Sequence, residues 1–348
     1  MKLTRLLLFF TLCATALTAQ QMNLHEGWMI QTSAHVSADP GAISQPGFST
    51  AGWYPATVPS TVFNALVENK VYPDPDYGMN LRQAAGVEYK IGANYSHEEI
   101  PRDSPYAAPW WFRTEFTLAP SFRGKTIWLD FHGINYRAAI WLNGHELASE
   151  EEAQGTFRRF EFDATQFAHT DATNVLAVEV FAPRIHDLAI TFVDWNPMPP
   201  DKDMGLWGAV SVRGSGPVEI RSPFVETEVL RGGGARVRVT TTLVNASDVP
   251  RRGTLRGSLG TRSFAIPVAL AAHASQTVER DLTLAHPRLW WPHDLGQPNL
   301  YPLRLRFAVA GKVSDSYQHE VGLDQITAEK TSGGAEQFLI NGRKLFVR

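Results

Sequence analysis

The sequence predicts an all-β protein of two successive β-sandwiches, and three observations predict it. Apolar and polar side chains alternate with period two in run after run, short turn dipeptides separate the runs, and a single stretch reads as a helix. Successive side chains of a strand point to opposite faces, so this alternation marks half-buried strands. Many short strands with little helix make a sandwich or jelly roll.

The first segment stands apart. Lys2 and Arg5 precede an apolar run from Leu6 to Leu17, with the small residues Ala14-Thr15-Ala16 near its end and Thr18-Ala19 just after it. Residues 1–20 therefore read as a secretory signal, too short to span a bilayer. Cys13, the sole cysteine, falls inside it, and large Leu12 beside it argues against a lipid anchor. A mature chain without thiols has no disulfide, no cysteine nucleophile and no cysteine-bound zinc, which suits a bacterial periplasm or exterior. Asn94-Tyr95-Ser96 and Asn245-Ala246-Ser247 are glycan acceptors only in a eukaryote.

The first sandwich is expected over 21–215. Its helix is Thr61 to Glu68, entered through Pro59-Ser60 with Ser60 as N-cap. Its strands include Trp111–Leu118, Thr126–Phe131 and Asn174–Phe181, with turns at Arg123-Gly124 and His132-Gly133. Ala139-Ile140-Trp141-Leu142 runs directly into Asn143-Gly144, a hairpin signal. Arg213-Gly214-Ser215-Gly216-Pro217 reads as a turn or linker. Beyond it, Arg236–Val244, Thr277–Leu284 and Leu303–Phe307 alternate again, so 216–325 is expected to be a seven-stranded immunoglobulin-like sandwich. Gly232-Gly233-Gly234 lacks the strand–turn–helix setting of a phosphate loop and reads as a hairpin tip. Phe338 to Val347 reads as a hairpin running into an apolar strand. That strand finds no neighbours before Arg348, so the tail is expected to be mobile or loosely parked.

Composition narrows the function. The chain of 348 residues is 44% hydrophobic and 19% charged, with 10 Trp, 19 Phe and 9 Tyr, enough for large cores. The net charge of −3 is spread along the chain and gives no face for nucleic acid or an anionic membrane. There is no His-Glu-x-x-His zinc spacing and no Gly-x-Ser-x-Gly elbow, and neither metal nor cofactor is expected. No carboxylate pair can be recognised that would cleave a glycosidic bond.

One segment does suggest recognition chemistry. Thr191 to Trp207 mixes carboxylates, amides, indoles and prolines without periodicity. Carboxylates and amides accept and donate to sugar hydroxyls, and an indole face packs on a pyranose ring. Asp194, Trp195, Asn196, Asp201 and Asp203 are the candidate carbohydrate-binding residues. On residue types alone, Trp195 and Trp207 fit a core equally well, and Asp201 and Asp203 fit solvated turns. Tyr89 to Trp111 is a second, weaker candidate, since Trp110 and Trp111 also begin a strand.

Asp194-Trp195-Asn196-Pro197 with Pro200-Asp201-Lys202-Asp203-Met204-Gly205-Leu206-Trp207 resembles the exo-β-D-glucosaminidases of glycoside hydrolase family two. Pro59–Val62, Val71–Pro75 and Tyr77–Leu81 resemble that family's first loop–helix region, and Trp141-Leu142-Asn143-Gly144 its hairpin. Val321-Gly322-Leu323 and Phe338–Arg348 resemble its passage into the catalytic barrel. The resemblance implies a galactose-binding-like jelly roll, an immunoglobulin-like domain, and from 326 the truncated start of a (β/α)₈ barrel. It implies a retaining exo-glycosidase acting on terminal β-linked glucosamine in chitosan oligosaccharides, with the chain's own barrel as its partner and sugar contact from Asp194, Trp195 and Asn196. β-Mannosidases carry Asp-Trp-Gly-Pro here, so Asn196 favours glucosaminidase over β-mannosides. The family's acid/base follows asparagine, and none of the 12 asparagines precedes a glutamate. The catalytic residues are thus expected beyond Arg348. The rival expectation is a complete, non-catalytic carbohydrate-binding or adhesive protein of two sandwiches.

Overall fold

The computed structural model of the protein describes residues 20–84, 99–190 and 198–346. The export segment, Asn94, and Asp194, Trp195 and Asn196 lie outside the described residues. Backbone contacts divide the chain into two compact units, with Gln20–Pro217 as one and the residues from Val218 onward in the other.

In the first unit two antiparallel sheets face each other. One runs in the order Gln20–Asn23, Val210–Ser215, Thr126–Phe131 and Phe160–Asp163. The other runs Tyr54–Ala56, Trp28–Thr32, Trp110–Thr117, Thr173–Phe181, Arg137–Leu142 and His145–Ala148. Their inner faces supply one core, with Leu129, Phe131 and Val212 from the first sheet meeting Ile30, Phe112, Ile140 and Val178 from the second. The expected strands are all present. Asn143 and Gly144 form the hairpin turn with φ of 52° and 89°, the left-handed pair that a two-residue hairpin demands.

The outer face of the six-stranded sheet is covered too. Ile43 and Trp53 pack on Trp111 and Ala177, so Thr173–Phe181 is buried on both faces at its centre. Arg113, itself buried, holds this cover down. Its Nε donates to Ile43 O at 2.9 Å and its Nη2 to Gln45 O at 3.0 Å.

The helix begins one residue later than expected, at Val62, and runs to Glu68. Its N-cap is Thr61 and not Ser60, because the Thr61 hydroxyl accepts from Asn64 N at 3.2 Å. Ser60 and Thr61 are occupied in a two-residue strand paired with Gly205–Leu206. Two further short helices, Pro40–Ile43 and Asn80–Gln83, carry too little periodicity to be read from sequence.

In the second unit a three-stranded sheet (Val218–Val229, Ala235–Asn245, Ser275–Leu284) faces a four-stranded one. The latter runs Arg262–Leu270, Arg251–Leu259, Leu300–Val309 and Lys312–Gly322. Val237, Val239 and Leu243 meet Leu255, Leu303, Leu305 and Phe307 in its core. Gly232 and Gly233, both left-handed, sit at a hairpin tip.

The expectation of a tail without strand neighbours is corrected. Glu336–Ile340 pairs with Arg343–Leu345 through the left-handed turn Asn341-Gly342, and on its other edge with Ile326–Lys330. Ile326–Lys330 escaped notice because every residue in it is exposed, which erases the alternation that marks a strand. Among the described residues no helix is long and apolar enough to cross a membrane.

Candidate functional site

The described part of the candidate segment, Met198 to Trp207, is a loop followed by the short strand Gly205–Leu206. A helix start leaves its first amide protons without internal partners, and this loop supplies two of the missing acceptors. Val62 N donates to Met204 O at 2.8 Å, and Phe63 N donates to Asp201 Oδ2 at 2.7 Å. Asp201 Oδ1 accepts from Asp203 N at 3.0 Å. The carboxyl is wholly buried, and burial pushes its pKa up to about 7, with Asp203 adding to the rise and the two amides opposing it.

This placement corrects the sequence expectation for Asp201. Neither a sugar ligand nor a solvated turn residue, it is a buried acceptor tying the loop to the helix. Asp203 differs. It is only half-buried, burial raises its pKa, and among the described residues its carboxylate has no hydrogen-bond or ion-pair partner. Of the two sequence candidates among the described residues, Asp203 is the one that keeps an exposed part of its side chain.

Lys202, which the sequence did not single out, is 5% exposed. Burial lowers its pKa, against the opposing pull of Glu99 and Asp187. Among the described residues its ammonium also has no hydrogen-bond or ion-pair partner. Asp187 is taken by Arg137, whose guanidinium also lies 5.1 Å over the Tyr136 ring.

Two supports escaped the sequence. Asn135, fully buried, donates from Nδ2 to Lys202 O and Asp203 O, and its main chain exchanges both hydrogen bonds with Gly205. Thr156 donates its hydroxyl to Asn135 Oδ1 at 2.6 Å, and its carbonyl accepts from Trp207 Nε1 at 3.2 Å. Gly205 is required by contact, since a Cβ there would lie 2.5 Å from Ser60 O. No local signal marks Asn135 or Thr156, because both act across long sequence separations.

Trp207 is 37% exposed, with Phe157 edge-on at 6.1 Å and Gly133 beneath its indole edge, so it is a fixed surface ring and not core. Trp110 and Trp111, by contrast, are buried at the start of Trp110–Thr117. Among the described residues no group of three His, Cys, Asp or Glu side chains could hold a metal ion. The arrangement offers hydrogen-bonding and charged groups on a fixed loop, which is binding chemistry.

Known proteins share this architecture. Residues 28–191 match the glycosyl hydrolase 2 galactose-binding domain-like family and residues 218–323 match glycosyl hydrolases family 2. The exo-β-D-glucosaminidase of Streptomyces avermitilis is 34% identical over 340 residues, covering 95% of this chain and 35% of its own length. That of Amycolatopsis orientalis is 32% identical over 325 residues, covering 92% of this chain and 30% of its own. The crystal structure of the Amycolatopsis orientalis exo-chitosanase CsxA superposes with a TM-score of 0.83 at 31% identity, over 94% of this chain and 37% of that one. The chain spans about a third of the length of these relatives.

Proposed function

The chain belongs to glycosyl hydrolases family 2, and on that premise we propose that it is the N-terminal, non-catalytic portion of an exported retaining exo-β-D-glucosaminidase. The observation that carries this reading is the match to relatives of that activity, 34% and 32% identical across nearly the whole chain. A structure of the same exo-chitosanase in complex with PNP-β-D-glucosamine supports the substrate class. On this reading residues 1–20 direct export, and bond cleavage belongs to two carboxyls of a (β/α)₈ barrel beyond Arg348, to which 326–348, antiparallel as far as Leu345, is the entry. The first unit contributes the loop that meets the terminal sugar, with Asp194, Trp195, Asn196 and Asp203 as its contacts.

The test compares two proteins, residues 20–348 and the product of the complete coding sequence, on p-nitrophenyl β-D-glucosaminide and β-D-mannoside. The reading expects turnover of the glucosaminide by the complete product alone. Faster turnover of the mannoside would replace the substrate, and turnover by purified 20–348 would defeat the non-catalytic assignment. A complete product inactive on both, yet retained by chitosan, would favour a carbohydrate-binding protein of two sandwiches.

A further inference from the structure

Lys202 and Asp203 adopt consecutive left-handed conformations, with φ of 51° and 58°. Side chains with a Cβ rarely sit there, and two in succession need an external constraint. That constraint is visible. The carbonyls of Lys202 and Asp203 converge on one donor, Asn135 Nδ2, at 2.8 and 2.9 Å. Thr156 fixes the other end of the same amide, and the paired main chains of Asn135 and Gly205 anchor both strands of chain on either side. With Asp201 bound to Phe63 N, the loop is held from two directions.

Among the described residues, the headgroups that this scaffold carries have no hydrogen-bond or ion-pair partner. Neither the Lys202 ammonium nor the Asp203 carboxylate is an enclosed polar group, so both reach solvent although Lys202 is only 5% exposed as a residue. Headgroups that reach solvent from a fixed turn are open to a polar ligand. By bonding both carbonyls, Asn135 sets the direction in which the two side chains leave the backbone.

We propose that Asn135 is a positioning residue of the sugar site, holding Lys202 and Asp203 in the left-handed pair that presents their headgroups to the substrate. This rests on the reading that the loop faces a terminal glucosamine. Asn135 itself is fully buried and touches no ligand.

A double-mutant cycle on the product of the complete coding sequence tests it, with kcat/KM for p-nitrophenyl β-D-glucosaminide as the readout. Asn135→Ala and Asp203→Ala should each lower kcat/KM by about ten- to a hundred-fold, the range for a lost hydrogen bond to a buried or charged group. The double variant should lose far less than the product of the two, because Asp203 is no longer aimed once Asn135 is gone. Melting temperature alone cannot produce that coupling. If Asn135→Ala does not fold, Thr156→Val removes the hydroxyl that orients the Asn135 amide, and the same cycle applies with a smaller single-variant cost. Costs that simply multiply, or a change in melting temperature with unaltered kcat/KM, overturn the positioning role in an otherwise active enzyme. A wild-type protein that turns over no aryl glycoside retires the substrate-facing reading, and this role with it.

Discussion

Replacing Asp201 by Asn should make the first unit indifferent to a pH range in which the native protein loses stability. Burial raises the Asp201 pKa from its ordinary 3.8 to about 7, so the folded protein keeps a proton that the unfolded chain has released. Between these two values the native state binds more protons, and stability must fall as pH rises. The contribution is complete below about pH 4 and gone above about pH 7. A rise of about three pKa units corresponds to about 4 kcal/mol, of which roughly 2–3 kcal/mol lies between pH 5 and 8. Asparagine imitates the protonated carboxyl but cannot accept at its nitrogen, so one of the amides of Phe63 and Asp203 is orphaned at a constant cost of about 1–3 kcal/mol. The assay is urea unfolding of both proteins at pH 5, 6, 7 and 8, with the difference between them plotted against pH. The wild type should lead at pH 5 and lose that lead by pH 8. A difference that stays flat or grows with pH would mean that the two amides keep the carboxylate ionised in the fold, and the argument from burial would be refuted.

Other substitutions probe the same framework. Gly205→Ala brings a Cβ to 2.5 Å from Ser60 O and 2.7 Å from Thr61 Cα. The two short strands must part, and thermal melting should show a loss of about 1–3 kcal/mol. Arg113→Met leaves the carbonyl of Ile43 without its side-chain donor and that of Gln45 with only Phe48 N, at 3.4 Å. It should cost about 2–4 kcal/mol and speed amide exchange over residues 40–45 ahead of the sheet beneath. In the product of the complete coding sequence, the proposed reading expects Asp194→Ala to reduce kcat/KM by roughly 30- to 1000-fold with little change in melting temperature. A stability loss with normal kinetics in the folded fraction would retire its sugar contact.

Much of the fold was legible because half-burial leaves a mark in the sequence. Thr126–Phe131 was placed to the residue, and Asn143-Gly144 announced its hairpin by the left-handed conformations it must adopt. Where burial is complete or absent the mark fades. Thr173–Phe181 was found as a strand, but nothing in it told that Ile43 and Trp53 would cover its outer face. Ile326–Lys330, exposed along its length, was missed altogether. The site was legible only as a composition. Asp201 looked like its neighbour Asp203 because the amide that captures it belongs to Phe63, 138 residues earlier. Asn135 looked like any loop asparagine for the same reason. Local patterns report on a residue's own face, and the roles of these residues are set by partners that only the folded chain brings near.

The contrast between Asp201 and Asp203 bears on what the loop can do. Glycosidic cleavage uses two carboxyls on either side of one bond, roughly 5–5.5 Å apart when configuration is retained. Two aspartates separated by one residue in a Trp-rich, Pro-rich loop invite that reading. The structure closes it, because both oxygens of Asp201 accept backbone amides and the residue has no exposed surface. An acid so enclosed can neither attack a sugar carbon nor pass a proton to a leaving oxygen. Its work is to hold the turn from which Asp203 projects, with Asn135 fixing the carbonyls on the opposite side. One carboxylate is thus consumed in building the platform, and the other is left unpaired upon it among the described residues. Among the described residues of this loop Asp203 is the one carboxylate left accessible, and by itself it can bind and orient a sugar but cannot flank a bond from both sides. The platform built by Asp201 and Asn135 thus serves to present Asp203, and on the proposed reading the pair of bond-breaking carboxyls belongs to the barrel.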